Sequence, residues 1–289
     1  MYPLIRSSKT EKDSIQQRQK GELEYLVFPK LEETGVAEHL FTTRTGGVSS
    51  GIYSTMNLSF SRGDDPECVL ENYRRIGEVL GTDPEHMVAS KQTHTTNIRL
   101  VTEADAGNGI VRPSTYDDTD GLATNLPGIA LVTFYADCVP LYFVDPVHRA
   151  IGLAHSGWRG TAARMGACMV RFMQEQFQSR PEDLVAAVGP SICVDCYEVS
   201  EEVAEQFREG FPADVLREGR VPGKYQLNLW KANQSILLAA GILPEHLTVT
   251  DVCTCHNPEY LFSHRASHGQ RGNLAAFLML KDGGTPDGK

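Results

Sequence analysis

The sequence is short of positive charge: Lys and Arg total 27 of 289 residues against 37 Asp and Glu, a formal net charge of −10. A general nucleic-acid binder needs a basic stripe to contact phosphates, so this balance excludes that class, although a local basic pocket is compatible with it. No stretch approaches the roughly 20 apolar residues that span a bilayer, and the start of the chain has no apolar segment of signal-peptide length. We therefore expect a cytoplasmic protein with neither a nucleic acid nor a membrane as partner.

The glycine-rich phosphate motifs are also missing. No segment fits GxxxxGK[ST], and none fits GxGxxG between a strand and a helix, so neither a P-loop nor a dinucleotide site is supported. The seven cysteines cannot all pair into disulfides, and in a reducing compartment a cysteine is more often a core residue, a metal ligand or a nucleophile. Each cysteine near a histidine is therefore a candidate for chemistry.

The chain is organised as one large domain. Residues 1–20 are polar and predict a flexible N-terminal extension, residues 282–289 predict a flexible tail, and residues 21–281 contain no linker or repeat. Short apolar runs bounded by Gly, Pro or Asp predict strands at 25–28, 98–101, 129–135, 141–144, 150–154, 184–188 and 274–280. Capping signals and apolar periodicity predict helices at 66–80, 161–177, 201–211 and 229–240. Strands come in runs between helices, which favours an α+β fold with mixed sheets.

Three chemically promising residues lie beside predicted strands: His94, Cys138 and His155. Cys138 precedes the strand at 141–144 and His155 follows the strand at 150–154. If these strands pair antiparallel, the two side chains meet at the same edge of the sheet.

Two imidazoles and a thiolate suit zinc, and three protein ligands leave a fourth position for water or substrate. The same residues also suit a nucleophilic Cys138 with His155 as its base. A buried cysteine beside two hydrogen-bonded histidines is the third interpretation. Spacing alone leaves all three open.

A second cysteine group combines Cys193 and Cys196, in a CxxC pair, with Cys253, Cys255 and His256 in a CTCH run. These residues could form a structural zinc site. Because the second half lacks the regular spacing of a zinc knuckle, the sequence favours core cysteines over a metal site here.

Three arginines are candidate anion ligands. Arg44 lies beside Gly46 and Gly47, whose backbone N–H groups could hold an anion, although the residues alone favour an ordinary Gly-Gly turn. Arg159 lies at a predicted helix start, where the dipole favours anions. Arg265 is the third candidate, with a solvated surface arginine as the alternative.

Six segments resemble one family when taken in order: TTRTGGVS at 42–49, KQTH at 91–94, DGLAT to ADCVPL over 120–141, GLAHSGWRG at 152–160, VGPSIC and CYEV over 188–199, and CT.C to LFSHR over 253–265. Together they resemble the YfiH-like laccase-domain family, also called the multicopper polyphenol oxidase family. The resemblance extends from about residue 24 to residue 280.

The resemblance implies a fold similar to that of the cytotoxic necrotising factor deamidase. It also implies zinc-dependent phosphorolysis of purine nucleosides (adenosine, inosine, guanosine and methylthioadenosine), with adenosine deamination at the same site. The family's metal ligands fall on His94, Cys138 and His155. The partners would be a small nucleoside and phosphate, with Arg44, Arg159, Gly46 and Gly47 binding the anion. Asp137 or His264 would transfer protons.

The chain departs from the family pattern at three positions and in the segment QRGN at 270–273, where the family usually has TGR. Ser156 replaces the Ala of the usual HAGWRG, a small change. His264 and Ala266 replace the Tyr and second Arg of the usual FSYRR, which weakens the transfer of a base or phosphate contact to Arg265.

Three rival functions stay open. Copper-dependent phenol oxidation needs many histidines, often in HxH pairs, whereas this chain has nine histidines and no HxH, so zinc is expected over copper. The Cys–His pair also suits a hydrolase or amidase that edits cell-wall precursors. A nucleoside-binding module without turnover is the non-enzymatic alternative.

Overall fold

The computed structural model describes residues 1–7 and 14–282, so nearly all of the predicted tail lies outside the described residues. In chain order the strands are β1 (Gln16–Lys20), β2 (Leu23–Val27), β3 (Ala37–Thr42), β4 (Met87–Ala89), β5 (Ile98–Leu100), β6 (Gly121–Thr124), β7 (Ala130–Tyr135), β8 (Val139–Asp145), β9 (Ala150–Ser156), β10 (Val185–Val188), β11 (Glu198–Ser200), β12 (Leu216–Glu218), β13 (Lys224–Leu227), β14 (Leu247–Val249) and β15 (Leu274–Leu280). The α-helices are α1 (Pro29–Glu32), α2 (Pro66–Leu80), α3 (Trp158–Ala162), α4 (Met165–Phe177), α5 (Glu201–Glu205) and α6 (Leu229–Ala239).

Two six-stranded mixed sheets form the centre of the fold. The first has the order β1-β2-β3-β15-β7-β4 and the second the order β14-β10-β8-β9-β6-β5, and a small sheet β11-β13-β12 lies apart. One apolar cluster contains side chains of both large sheets, such as Leu131 and Ile151. The outer face of the first sheet packs on α2, and that of the second packs on α4 and α6. The predicted α+β fold with mixed sheets is confirmed.

The predicted ends of a helix agree with the structure where capping residues mark them, as in α2. Asp65 caps α2 by accepting from the Glu67 N–H, and Gly81 ends it at φ 75°, as predicted. The predicted helix at 161–177 is instead two helices, because Arg164 adopts φ 62° between α3 and α4. The predicted helix at 201–211 stops at Glu205. None of the described helices has the length and apolarity that crossing a membrane requires.

The start of the domain differs from the prediction. Gln16–Lys20 pairs antiparallel with β2 as an edge strand, and Ile15 is fully buried. Tyr2 stacks on Tyr260 with ring centroids 4.7 Å apart, and Arg6 pairs with Asp251 at 2.7 Å. The extension predicted for residues 1–20 is therefore wrong for 1–7 and 14–20, while 8–13 lie outside the described residues. Polar residues are common on a solvated edge strand, which explains the misleading composition.

A buried histidine in the first sheet predicts a pH dependence of stability. His39 is 4% exposed, and its Nε2 accepts from the Phe28 N–H at 2.8 Å. Burial, with a smaller contribution from Lys281, lowers the pKa of His39 to about 3. The unfolded chain binds this proton at its ordinary pKa of about 6.5, so stability is lost as pH falls from about 6.5 towards 3, by up to about 1.4 kcal/mol per pH unit.

Denaturant unfolding from pH 7 to pH 4.5 measures this effect, with His39→Gln as the comparison because its amide oxygen can still accept from Phe28. The difference between the two proteins in unfolding free energy should shrink as pH falls. Parallel curves would contradict the assignment to His39.

Candidate active site

A cavity of about 860 Å³ opens beside the ends of both large sheets. Its wall is formed by loop residues 59–62 and 109–114, by segments 89–92 and 134–136, and by single side chains elsewhere in the sequence: His94, Cys138, His155, Arg271 and Asn273. A volume of this order accommodates a small-molecule ligand.

The central strands bring the three predicted residues together. β8 and β9 pair antiparallel with Pro140 opposite His155, so Cys138 and His155 meet at one edge, as the spacing predicted. His94 joins them from the loop after β4. The donor atoms of the three side chains all lie within 4.8 Å of one another, and the two imidazole rings meet edge to face with centroids 5.0 Å apart.

Asp120 holds two of these residues in place. Its buried carboxylate accepts from the backbone N–H groups of Thr93, His94 and Thr95 at 2.9, 3.1 and 3.0 Å. It also lies 2.7 Å from Nδ1 of His155. Burial opposes ionisation, but His155 and the backbone donors keep the pKa of Asp120 below its ordinary value. The ionised carboxylate fixes the Nδ1 proton of His155, which leaves Nε2 free to act.

The three donors fit a metal ion of the zinc or copper class. Nitrogen and sulfur ligands suit these metals. A histidine that binds a metal commonly donates its other ring N–H to a carboxylate, as His155 does to Asp120. Gly157 supplies the space: a Cβ there would lie 3.0 Å from Sγ of Cys138 and 3.1 Å from Cδ2 of His94. Three protein ligands would leave a coordination position for water or substrate.

The charges of Cys138 and His155 stabilise each other. Burial alone would raise the pKa of the Cys138 thiol, but His155 and then His94 lower it to about 6. Burial alone would lower the pKa of His155, but Cys138 and Asp120 raise it to about 9. The thiolate form of Cys138 at neutral pH suits either a metal ligand or a nucleophile, and metal binding would displace the proton from Nε2 of His155.

Two arginines give the cavity a cationic wall. Arg62 and Arg271 both line it, and burial together with the charge of Arg62 lowers the pKa of Arg271 to about 10. Among the described residues, Nε of Arg271 has no hydrogen-bond partner. This Nε is buried, while Nη1 donates to the carbonyl of Gly272 and to Oδ1 of Asn273. An anion beside the two guanidinium groups would relieve the repulsion between them. Sequence reasoning missed both arginines, and the QRGN run before β15 was the available signal.

The predicted anion ligands lie elsewhere. Arg44 donates to the carbonyls of Ser54 and Pro258 at 3.0 and 2.5 Å. A Cβ on Gly46 would lie 2.3 Å from Cα of Leu23 and one on Gly47 2.1 Å from a backbone oxygen. These glycines therefore allow close backbone packing.

Arg159 is exposed and stacks on Trp158 at 4.2 Å. Arg265 donates to the carbonyls of Cys196 and Glu198 at 3.0 and 3.2 Å. None of the predicted anion ligands lines the cavity; their role in anion binding stays a prediction.

Asp137, predicted to transfer protons, is buried beside the cavity wall. One carboxylate oxygen accepts from Oγ1 of Thr254 at 2.6 Å and the other from the N–H of Arg265 at 2.7 Å. Both oxygens are thus engaged in holding neighbouring loops.

The fold defines a class of α+β protein that solved structures share. A crystal structure of the hypothetical protein YfiH from Bacillus licheniformis superposes with a TM-score of 0.86 at 32% identity, covering 92% of this chain and 99% of that one. The chain belongs to the multi-copper polyphenol oxidoreductase laccase family, whose model matches residues 38–281.

The similar proteins carry names that describe an activity, as two of them illustrate. Purine nucleoside phosphorylase YlmD of Geobacillus stearothermophilus is 39% identical over 244 residues, which cover 83% of this chain and 89% of the relative. Adenosine deaminase RL5 of an unknown prokaryotic organism is 33% identical over 248 residues, covering 84% and 94%.

Proposed function

We propose that this chain is a purine nucleoside phosphorylase. In this reaction an oxygen of phosphate bonds to C1′ of the ribose, the C1′–N9 bond breaks, and the purine takes up a proton. The observation that carries the proposal is a cationic wall, formed by Arg62 and Arg271, in the same cavity as the three-donor cluster. The names of the relatives support it.

The cavity supplies the two kinds of surface that a nucleoside and phosphate require. Arg62 and Arg271 would hold the phosphate and stabilise charge as the glycosidic bond breaks. Phe60, Ile110 and Phe134 provide an apolar part of the wall, against which a purine ring would pack. The substrates we propose are adenosine, inosine, guanosine and methylthioadenosine.

His94, Cys138 and His155 would hold zinc, which when bound supplies a Lewis acid and lowers the pKa of water, chemistry suited to adenosine deamination. Among the described residues the only other group of three or more clustered His or Cys donors is rich in thiols, a poor match for the trinuclear site of a copper oxidase. Metal analysis of chelator-free protein tests this choice, and stoichiometric copper with a blue absorption band would contradict it.

His264 stays the second predicted proton-transfer residue. Its side chain is exposed and is not part of the cavity wall, and partial burial and the charge of Arg271 lower its pKa. Asp137, with both oxygens engaged, would position Cys138 through the backbone.

The decisive experiment incubates the metal-loaded protein with adenosine in the presence and absence of phosphate. We expect adenine and ribose-1-phosphate only when phosphate is present, and inosine in both cases. No product from any of the four nucleosides would overturn the proposal.

Replacement of Arg271 tests the phosphate subsite. We expect Arg271→Gln to raise the KM for phosphate roughly 10- to 150-fold, because a hydrogen bond to a charged group contributes about 1.5–3 kcal/mol. Steady-state kinetics at varied phosphate measures this, with Arg74→Gln on α2 as the control. An effect in Arg159→Gln with none in Arg271→Gln would move the phosphate to the site that the sequence predicted.

A second candidate function rests on the spatial arrangement of Cys138, His155 and Asp120. His155 contacts both the thiol and the carboxylate, the order found in Cys–His–Asp hydrolases. An amidase that edits peptidoglycan precursors would use Cys138 as nucleophile. Mass spectrometry after incubation with such precursors distinguishes the two, since an acyl adduct on metal-free Cys138 favours the hydrolase.

A further inference from the structure

A second group of soft donor atoms lies outside the cavity, where two neighbouring strands end. Cys193 and Cys196 follow β10, and Cys253 and His256 follow β14. β10 and β14 pair in parallel, so the loops that leave them start at the same sheet edge. The four donor atoms all lie within 4.8 Å of one another.

We propose that Cys193, Cys196, Cys253 and His256 bind one zinc-class divalent cation as a closed structural site. Three thiolates and one imidazole form a standard structural zinc ligand set, with all four tetrahedral positions taken by protein. The cysteines are free in the structure, so no disulfide removes a donor. The site contributes to the architecture of the domain, and its test does not depend on the activity proposed above.

The separations within the group are near those of a tetrahedral site. Sγ of Cys193 lies 3.8 Å from Nδ1 of His256, while ligand bonds of about 2.3 and 2.0–2.1 Å at a tetrahedral angle place S and N about 3.6 Å apart. The cysteine donors need to move inward by at most about 1 Å, since two thiolates on zinc are about 3.8 Å apart.

The surrounding backbone is already arranged to support the ligands. The Cys193 N–H donates to Sγ of Cys253 at 3.3 Å, a contact that stabilises a thiolate. The Cys196 N–H donates to the carbonyl of Cys193 at 3.1 Å, which closes the CxxC turn. The amide of Asn257 donates to the Cys253 carbonyl at 2.8 Å. Such outer contacts orient metal ligands.

The same two loops hold the residue that precedes Cys138. Ile192 donates its N–H to the carbonyl of Asp137 at 3.0 Å, and Thr254 donates its hydroxyl to the Asp137 carboxylate at 2.6 Å. Asp137 has a φ of 88°, a left-handed conformation that a non-glycine residue keeps only when its surroundings impose it. The cation would therefore fix the backbone that presents Cys138 to the cavity.

Metal content tests the proposal without reference to activity. Protein purified in reductant without chelator is analysed by plasma mass spectrometry as wild type, His155→Ala, Cys196→Ser and the double variant, with Cys168→Ser on α4 as the matched control. We expect Cys196→Ser to carry about one cation fewer than the protein from which it is made, in both backgrounds, and Cys168→Ser to match wild type. Unchanged metal content in Cys196→Ser would overturn the site.

Cobalt substitution gives a second readout, which reports the ligand set and not only the amount of bound metal. In His155→Ala loaded with Co²⁺, three thiolate ligands should give strong sulfur-to-cobalt charge-transfer absorption together with tetrahedral d–d bands. Thiol titration of the denatured, chelator-treated wild type should find all seven cysteines. A spectrum without thiolate bands, or a Cys193–Cys253 disulfide in the titration, would overturn the proposal. Loss of phosphorolysis leaves these readouts unchanged, so the two proposals fail separately.

Discussion

Cys138→Ser and His155→Ala are each expected to abolish phosphorolysis and to empty the cavity site of metal. Serine replaces a soft thiolate by a hydroxyl that is neutral at pH 7, and alanine removes an imidazole outright. Loss of an outer-shell partner already costs 10- to 100-fold, so loss of a direct ligand should lower kcat/KM by roughly a thousandfold or more. Steady-state kinetics and metal analysis of the same samples measure both effects.

Cys168→Ser is the control for the cysteine change, since Cys168 lies on α4 and is absent from the cavity wall. Circular dichroism and thermal unfolding establish that each variant is folded. Wild-type kcat/KM in a folded Cys138→Ser protein that has lost its metal would contradict the proposed role of the cluster. Loss of activity with full metal retention would instead favour Cys138 as a nucleophile.

The part of the site on β8 and β9 could be predicted from the sequence because it is local. Two apolar runs separated by a short polar turn predict a hairpin, and antiparallel pairing then fixes Cys138 and His155 at one edge. His94 was grouped with them only because it lies beside a predicted strand. Strand pairing could not place it next to them, since its loop follows β4 in the other large sheet.

The cationic wall could not be predicted in the same way. Arg62 and Arg271 are more than 200 positions apart in the sequence, and they meet only because both loops reach the same cavity. Nothing in the periodicity around either residue marks it as part of a cavity wall. Arg44 and Arg159 were more conspicuous beside glycines and a helix start, but their side chains contact carbonyls and a tryptophan ring.

The second cysteine group also could not be predicted, because its two halves are far apart in the sequence and meet only in the fold. The spacing of Cys253 and His256 after a CxxC pair is irregular. The sequence pattern therefore favoured core cysteines over a metal site. Parallel pairing of β10 with β14 brings the two halves together, and this pairing joins strands about 60 residues apart in the chain. The prediction of core cysteines describes their burial only in part: Cys193 and Cys253 are buried, whereas Cys196 and Cys255 are half-buried.

Asp120→Asn is expected to have the second largest effect, through stability and metal affinity together. The carboxylate accepts from three backbone N–H groups and from His155. An asparagine has one acceptor oxygen, and its NH₂ group would face donors. Removing one partner from a buried charged network costs about 3–5 kcal/mol, and a lost outer-shell partner weakens metal binding by 10- to 100-fold.

Asp118→Asn provides the matched comparison. Its exposed carboxylate accepts from Oγ1 of Thr95 and from Nδ2 of Asn97 in the same loop, so the change should alter the free energy of unfolding by less than about 1 kcal/mol. Denaturant unfolding and chelator competition measure stability and affinity for both variants. If the two behave alike, Asp120 does not organise the site. A selective loss in Asp120→Asn would show that one buried carboxylate fixes both His155 and the His94 loop, which is the arrangement that lets residues from two sheets act as one ligand set.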